Sequence, residues 1–268
     1  MASPSLDRRD KRRGQLRLAW NLVFRLLRTL AGHVGSAYTA FGIVLFAGAV
    51  VAVGATAAFA RIAARVRAGS TQAFDDGVLR WFGTHRTPLL DRVMVEVTLL
   101  GTGTVVMMIV LIAVLFLWLS THRQSAMLLL FATAGGIVLN NVMKVSFNRP
   151  RPQVIAWGTT AMSSSFPSGH AMSATIVYGT VAYLAARLQR THSARIATLA
   201  VAIVLILLIC TSRLYLGVHY PSDVIAGVAV GLAWASFCLA SLEAFQVWAR
   251  RNAPQTLASE HPAPKVTG

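Results

Sequence analysis

Charge is scarce in this 268-residue chain: 13% of its residues are charged, about half the fraction found in a typical soluble domain. Acidic residues are the scarcest, with nine Asp and Glu against 25 Lys and Arg, and the formal net charge is +16. Hydrophobic residues make up 55% of the chain and are gathered into long runs without charge. So little charge excludes an ordinary soluble globule and predicts an integral membrane protein.

Cysteine is almost absent as well. The two cysteines, Cys210 and Cys238, both lie inside apolar runs, where a free thiol behaves as a small hydrophobic side chain. This excludes a disulfide framework, and no cluster of residues has the spacing of a metal site. The excess of positive charge lies mostly in the terminal segments and short loops, where Lys and Arg set membrane orientation, so we expect no nucleic-acid partner.

The chain has instead six apolar runs that approach the length of a transmembrane helix, about 20 residues. They lie at residues 37–60, 97–119, 125–143, 169–186, 196–211 and 222–242. We therefore predict an all-α, polytopic membrane protein with six transmembrane helices. The stretch between the first two runs mixes charged and aromatic residues and is expected to hold one or two short interfacial helices.

These runs divide the chain into three segments. Residues 37–243 are expected to form the six-helix domain. Before it, residues 1–36 carry a basic tail and then, over residues 16–31, arginines at helical spacing opposite apolar residues, which predicts an amphipathic helix on an anionic membrane surface. After it, residues 244–268 contain three prolines and are expected to form a disordered cytoplasmic tail.

The distribution of Lys and Arg predicts an orientation. Six spans put both termini on the same side, and positive charge near the membrane marks the cytoplasm. The N-terminal segment holds eight Lys and Arg, and more follow at Arg187, Arg190, Arg195, Arg250 and Arg251. Both termini would then be cytoplasmic, and the loops at residues 61–96, 144–168 and 212–221 would face outward. The loop at 61–96 is itself rich in arginine, which the rule counts against this orientation.

A set of chemically useful side chains falls at the ends of four spans, at one expected depth near the outer membrane–water boundary. The set is Lys144, Arg151, Ser168, His170, Arg213, His219 and Asp223. Each of them alone is compatible with a snorkelling anchor or a helix cap. Charges in a bilayer are costly unless they have a partner or a function, so the whole set at one level predicts a functional site.

The spacing within this set has chemical consequences. His219 and Asp223 are four residues apart, so on one helical face the carboxylate would accept a hydrogen bond from one ring nitrogen and make the other more nucleophilic. The motif Pro167-Ser168-Gly169-His170 stands where a loop becomes the fourth span, and a helix N-terminus attracts anions. These residues point to chemistry on a phosphoryl group.

The remaining members of the set fit the same chemistry. Lys144, Arg151 and Arg213 would supply the fixed positive charge that a phosphoryl group needs as its oxygens gather negative charge. His170 would then be free to protonate the leaving oxygen.

Three motifs occur in order: Lys144-(six residues)-Arg151-Pro152, Pro167-Ser168-Gly169-His170, and Ser212-Arg213-(five residues)-His219-(three residues)-Asp223. Together they resemble the three-part signature of the type 2 phosphatidic acid phosphatase (PAP2) superfamily, over residues 37–243. The resemblance implies that His219 attacks phosphorus and forms a phosphohistidine, that Asp223 orients His219, and that His170 acts first as acid and then as base. It also implies a phosphate held by Lys144, Arg151, Ser168, Gly169 and Arg213, with no metal and no cofactor.

The resulting hypothesis is a lipid phosphatase of the bacterial inner membrane with its active site facing the periplasm. Candidate substrates are undecaprenyl diphosphate, placed first by analogy alone, phosphatidic acid, phosphatidylglycerol phosphate and a lipid A phosphate. Two alternatives stay open: a lipid phosphotransferase on the same site, and a catalytically inactive lipid-binding membrane protein. Beyond the lipid substrate and membrane lipids, the sequence names no protein partner.

A doubled Arg-Pro motif, Arg149-Pro150-Arg151-Pro152, leaves one arginine without a role. The spacing from Lys144 selects Arg151 as the family arginine. Arg149 could reach the same phosphate or a diphosphate, but we expect it to be a surface charge. The acidic residues of the first outward loop, which are Asp75, Asp76, Asp91 and Glu96, are expected to form loop salt bridges rather than to act in catalysis.

Overall fold

The computed structural model describes residues 37–161 and 163–251, and within them the chain forms eight helices and no β-strand. In chain order these are α1 (Ala37–Arg67), α2 (Gln72–Thr84), α3 (Pro88–Leu99), α4 (Gly103–Leu119), α5 (Arg123–Phe147), α6 (Gly169–Leu188), α7 (His192–Tyr215) and α8 (Pro221–Arg251). The all-α prediction is therefore confirmed. The predicted amphipathic helix at residues 16–31 lies outside the described residues.

Five of these helices are long and apolar enough to cross a membrane, namely α1, α5, α6, α7 and α8. A sixth span results if α3 and α4 are counted together, since the pair as a whole is also long and apolar enough. The prediction of a polytopic membrane protein is confirmed. Of the one or two short helices expected between the first two spans, α2 is separate, while α3 leads directly into α4. Helix α8 continues to Arg251, past the predicted domain end at residue 243.

The second predicted span, residues 97–119, is present as a bent pair of helices, because the chain breaks between α3 and α4 inside this run. The axis bends by 47° between α3 and α4. The Thr102 hydroxyl donates a 2.6 Å hydrogen bond to the Leu99 carbonyl, which closes a local turn in place of the helical ladder. Two glycines, Gly101 and Gly103, flank Thr102 and lower the helical propensity at this point. The break brings Gly101 against the side chain of His170.

Helix α6 lies at the centre of the packing, in contact with α4, α5, α7 and α8. Its contact with α8 is close because glycines replace side chains there. A Cβ atom on Gly227 would lie 2.6 Å from the Ser168 carbonyl oxygen, and one on Gly231 would lie 2.7 Å from Thr175 Cβ. Only glycine permits this approach, so Gly227 and Gly231, four residues apart on α8, allow the two helices to pack closely.

The N-termini of α6 and α8 are tied together. The Ser168 N–H donates a 3.0 Å hydrogen bond to the Asp223 carbonyl, and the Ser168 hydroxyl caps α6 by accepting from the Ala171 N–H at 3.5 Å. Because consecutive spans alternate in direction, the C-terminal ends of α5 and α7 lie at the same end of the bundle as the N-termini of α6 and α8. Four helix ends therefore surround one volume.

The outward faces of the spans are apolar. Large hydrophobic side chains such as Leu111, Ile112 and Leu115 of α4 are more than half exposed. A monomeric soluble protein rarely leaves so much contiguous apolar surface uncovered. Lipid chains are the natural solvent of these faces, in keeping with a membrane-spanning fold.

Candidate active site

His219 lies in the five-residue connection between α7 and α8, and its side chain is 2% exposed. Gly217 makes the turn possible, because its φ of +72° is a left-handed conformation that side chains disfavour. A Cβ atom there would also lie 2.8 Å from Ile155 Cγ1. The helix begins at Pro221, a residue suited to a first helical turn, so His219 precedes α8 rather than lying on it.

Asp223 faces the imidazole of His219 from the first turn of α8. The distance from His219 Nδ1 to Asp223 Oδ2 is 3.6 Å, which is an ion-pair distance and is longer than a hydrogen bond. Asp223 Oδ2 instead accepts a 2.9 Å hydrogen bond from the Tyr220 N–H, which fixes the carboxylate. The predicted juxtaposition is present, but the predicted hydrogen bond is replaced by this looser contact because Pro221 delays the helix.

The other ring nitrogen of His219 faces Arg151. His219 Nε2 lies 3.3 Å from Arg151 Nη1. A guanidinium only donates, so Nε2 accepts and carries the lone pair, while the proton resides on Nδ1, toward Asp223. Arg151 is itself fixed by hydrogen bonds to the carbonyls of Val218 and Ser163, at 2.7 and 2.8 Å. The unprotonated nitrogen is thus the one that points at the cationic side of the site.

Burial lowers the pKa of His219 to about 4, and the positive charges of Arg213 and Arg151 act in the same direction against the raising effect of Asp223. The ring is therefore neutral at neutral pH, which is the state that a nucleophilic imidazole requires. Burial also lowers the pKa of Arg151, which nevertheless stays a cation at neutral pH.

Three cations from separate parts of the chain meet beside this imidazole. The charges of Lys144 on α5, Arg151 and Arg213 on α7 interact with one another, and Arg151 and Arg213 also act on His219. Two of them are held by hydroxyl groups: Lys144 Nζ donates to Ser163 Oγ at 2.7 Å, and Arg213 Nη1 donates to Thr98 Oγ1 at 2.6 Å. Such a cluster of like charge is costly unless it meets an anion.

His170 lies in the first turn of α6 beside the same cluster, and its ring interacts with the charges of Lys144, Arg151, Arg213 and His219. The break between α3 and α4 forms the wall behind it, since a Cβ atom on Gly101 would lie 2.8 Å from His170 Cδ2. Gly169 beside it packs against Asn140, whose amide nitrogen would lie 3.3 Å from an added Cβ. The site thus includes backbone from a break that the sequence did not reveal.

Arg149 was expected to be a surface charge, and this expectation is wrong. Its side chain is 10% exposed and lies between two buried carboxylates, donating to Asp223 Oδ1 at 2.6 Å and to Asp75 Oδ2 at 2.9 Å. Burial by itself lowers the pKa of Arg149, but Asp223 and Asp75 outweigh it and raise the pKa above its usual value. The guanidinium remains charged and contacts Asp223, beside His219, instead of lying at the surface.

Salt bridges were expected for the acidic residues between the first two spans, and Asp75, Asp76 and Asp91 form them. Asp76 pairs with Arg80 at 3.9 Å and Asp91 pairs with Arg86 at 3.0 Å. Asp75 differs because it is fully buried and belongs to the site. No motif marks Asp75, since 74 residues separate it from Arg149. Among the described residues, no group of three or more His, Cys, Asp or Glu side chains could hold a metal ion.

The arrangement supports phosphoryl transfer. It combines an unprotonated imidazole nitrogen, a cluster of fixed cations to hold an anion, and a second histidine able to move a proton. Among the residues selected from sequence, Lys144, Arg151, His170, Arg213 and His219 converge. Asp223 stands behind His219, and Ser168 and Gly169 form the adjoining helix N-terminus.

Comparison with known proteins identifies the family. A family model described as PAP2 superfamily matches residues 125–246. The chain is 34% identical to phosphatidylglycerophosphatase B of Bacillus subtilis (strain 168) over 177 residues, which cover 65% of this chain and 86% of the relative.

Two crystal structures are similar in fold. The first is a transmembrane PAP2 type phosphatidylglycerolphosphate phosphatase from Bacillus subtilis, with a TM-score of 0.69 and 28% identity over 75% of this chain and 98% of that one. The second is LpxE of Aquifex aeolicus, with a TM-score of 0.52 and 25% identity over 62% of this chain and 94% of that one. The chain therefore belongs to the PAP2 superfamily and is a multi-pass membrane lipid phosphatase, a hydrolase of a family that needs no metal.

Proposed function

We propose that this phosphatase removes the terminal phosphate of a glycerophospholipid of the phosphatidylglycerophosphate type, through a phosphohistidine on His219. The observation that carries the proposal is the placement of one imidazole between a carboxylate and a guanidinium, with Nδ1 at 3.6 Å from Asp223 and Nε2 at 3.3 Å from Arg151. The substrate class is supported by the likeness to phosphatidylglycerophosphatase B, and it displaces undecaprenyl diphosphate from first place.

In the first step, the electron pair of His219 Nε2 attacks phosphorus as the bond from phosphorus to the lipid oxygen breaks. Protonated His170 gives its proton to that oxygen, so the lipid leaves as an alcohol. The dianionic phosphate favours the protonated form of His170 when it binds beside the ring. Asp223 stabilises the positive charge that develops on the imidazole of His219.

In the second step, water attacks the phosphohistidine. His170, now neutral, removes a proton from the water, the phosphorus–nitrogen bond breaks and its electrons return to His219 Nε2. Inorganic phosphate leaves and both histidines regain their starting states. One histidine thus serves as acid and then as base, as microscopic reversibility requires.

The cations act on the transferring group. Lys144, Arg151 and Arg213 neutralise its equatorial oxygens, and the N–H groups at Gly169 and after it offer the positive end of α6. Arg151 has a double use, because the guanidinium that lies 3.3 Å from His219 Nε2 is also placed to donate to a phosphate oxygen at that nitrogen. Substrate would therefore draw Arg151 from the imidazole and release the electron pair for attack.

The proposal includes a location: the bacterial inner membrane, with both termini cytoplasmic and the site facing the periplasm. It is supported by the Lys and Arg content of the terminal segments and by the bacterial relatives. The native cysteines are buried, so single introduced cysteines can report it. Gln153→Cys, in an exposed loop beside the site, is expected to react with an impermeant maleimide in intact spheroplasts, and Arg190→Cys only after lysis. The reverse pattern would overturn the orientation.

The function is tested by phosphate release from purified protein in detergent, with a panel of phosphatidylglycerophosphate, phosphatidic acid, undecaprenyl diphosphate and a lipid A phosphate. We expect the highest kcat/KM on phosphatidylglycerophosphate, and no release by folded His219→Ala. Preference for undecaprenyl diphosphate would overturn the substrate class. Turnover by His219→Ala would overturn the nucleophile, and release that falls when an acceptor lipid is added would indicate a phosphotransferase.

A further inference from the structure

A fully buried carboxylate lies behind the proposed catalytic pair. Asp75, on the short helix α2, is 0% exposed and sits at the N-terminus of α8. Its Oδ1 accepts a 3.0 Å hydrogen bond from the Ser222 N–H, and its Oδ2 accepts a 2.6 Å hydrogen bond from the Ser222 hydroxyl. A carboxylate from another helix therefore caps α8, the helix that carries Asp223.

Arg149 connects this carboxylate to the catalytic one. Its Nη2 donates to Asp75 and its Nη1 donates both to Asp223 Oδ1, at 2.6 Å, and to Ser222 Oγ, at 2.8 Å. The guanidinium also lies over the ring of Tyr220, with its carbon 4.1 Å from the ring centre. Since the Tyr220 N–H holds the other oxygen of Asp223, both carboxylate oxygens are fixed by this assembly.

The charges of Asp75, Arg149 and Asp223 determine the net charge that His219 faces. Arg149 alone would cancel the negative charge of Asp223 and leave the imidazole of His219 without an anionic partner. Asp75 supplies a second negative charge, so the three side chains together carry one net negative charge. One negative charge is what an imidazole needs when phosphorylation of Nε2 leaves the ring protonated at Nδ1 and positive.

We infer that Asp75 and Arg149 are positioning residues for the hydrolysis: together they hold Asp223 in place and maintain the net negative charge that His219 faces. The inference rests on the proposed roles of His219 and Asp223. It extends the catalytic machinery to α2, which lies outside the segment matched by the family model. Neither residue has a direct role toward the phosphate, and each acts through Asp223.

Because Asp75 and Arg149 carry opposite charges, removing one or the other should shift the pH dependence of kcat/KM in opposite directions. Asp75→Asn removes a negative charge near His219, which disfavours the imidazolium, so the acidic limb of the kcat/KM profile should move to lower pH. Arg149→Gln removes a positive charge and should move the same limb to higher pH. Each shift is expected to be about one pH unit, the size that a unit charge produces across several ångströms of protein. The double variant should return the limb close to its original pH.

Other charged groups at the site are common to all these variants and do not change. They are Asp223, Arg151, Arg213, His170 and Lys144. Substrate ionisation is common to all of them as well, so the differences between variants report the pair alone. In each single variant kcat should also fall by about tenfold to a hundredfold with less change in KM, because a misplaced nucleophile slows chemistry more than binding.

Two further variants separate charge from geometry. Arg149→Lys keeps the charge, but the lysine cannot reach both carboxylates at once. The acidic limb of its kcat/KM profile should therefore stay at the wild-type pH while kcat falls. Asp76→Asn is the matched control, since Asp76 is the next residue on α2 and its carboxylate pairs with Gln72 and Arg80 rather than with Arg149 or Ser222 among the described residues. It should leave both the limb and kcat unchanged.

The outcomes are distinguishable from failure of the proposed function. Single-variant shifts of opposite sign that cancel in the double variant support the inference. An inactive His219→Ala together with unshifted limbs, or limbs that shift in the same direction, would overturn the inference alone. Turnover by His219→Ala would overturn the proposed nucleophile and this inference with it. If Asp75→Asn does not fold, an upward limb shift in Arg149→Gln supports the inference and its absence overturns it.

Discussion

Thr98 at the end of α3 holds Arg213 on α7 through a 2.6 Å hydrogen bond from Arg213 Nη1 to Thr98 Oγ1. The Arg213 residue is 4% exposed, and its Nε has no hydrogen-bond partner among the described residues. This hydroxyl therefore has a large share in orienting a proposed phosphate-binding group. No sequence motif points to the contact, because 115 residues separate the two.

Thr98→Val keeps the volume of the side chain and removes this acceptor. A hydrogen bond to a charged group contributes about 1.5–3 kcal/mol, so kcat/KM for phosphate release should fall by about tenfold to a hundredfold. Thr104→Val, on an exposed face of α4, is the matched control and should leave kcat/KM unchanged. Equal activity of the two variants would contradict the role of Thr98.

Gly101→Ala tests the wall behind His170. The added methyl group would lie 2.8 Å from His170 Cδ2 and 2.7 Å from Ile209 Cγ2, so the ring must move. A displacement of about 1 Å in a catalytic group can reduce rate by about a hundredfold, so kcat should fall much more than KM changes. Gly103→Ala meets no atom within 4 Å and should keep its activity. A similar loss in both variants would point instead to the geometry of the helix break.

The spans were predictable because a bilayer requires long apolar helices, and such runs are visible in the hydropathy of the sequence. The break between α3 and α4 was not predictable from the sequence, because Gly101 and Thr102 interrupt an apolar run without adding charge. It is visible only through the hydroxyl contact of Thr102 and the bend it accompanies. Local propensity alone does not decide whether such glycines bend a span.

The candidate site divides in a similar way. Residues in the three motifs were predictable because their spacing places them at span ends that share one depth. Arg149 and Asp75 were not, since their partnership depends on how α2 packs against α8, and nothing local encodes a contact across 74 residues. The doubled Arg-Pro motif offered one hint, because a second arginine so near the site calls for a partner.

Removal of metal ions should have little effect on activity. The proposed site meets phosphate with Lys144, Arg151 and Arg213, so charge neutralisation comes from the protein itself. We expect phosphate release in excess EDTA to match release without it, and added Mg²⁺ to leave it unchanged. The measurement is initial rate on phosphatidylglycerophosphate in detergent. A strict requirement for Mg²⁺ would indicate a different mechanism.

Close packing of α6 and α8 should govern stability. Gly231→Ala would place a methyl group 2.7 Å from Thr175 Cβ and 3.0 Å from the Met172 carbonyl oxygen. Overpacking of this kind costs about 1–3 kcal/mol, so the thermal midpoint in detergent should fall. Gly179→Ala on α6 meets no atom within 4 Å and should keep or raise the midpoint, because alanine favours a helix. If both variants melt alike, the contact at Gly231 does not limit stability.

The buried neutral state of His219 should make the fold sensitive to acid. Its pKa is about 4 in the folded protein against an ordinary histidine value of 6.5, so between these values the unfolded chain binds the extra proton. The neutral imidazole therefore contributes its full share to the free energy of unfolding above pH 6.5. This contribution, about 3 kcal/mol at most, is lost as the pH falls toward 4. The thermal midpoint of the wild type should therefore drop between about pH 7 and about pH 4.5 by more than that of His219→Gln, which cannot titrate. Equal drops in the two proteins would mean that His219 is not the group responsible.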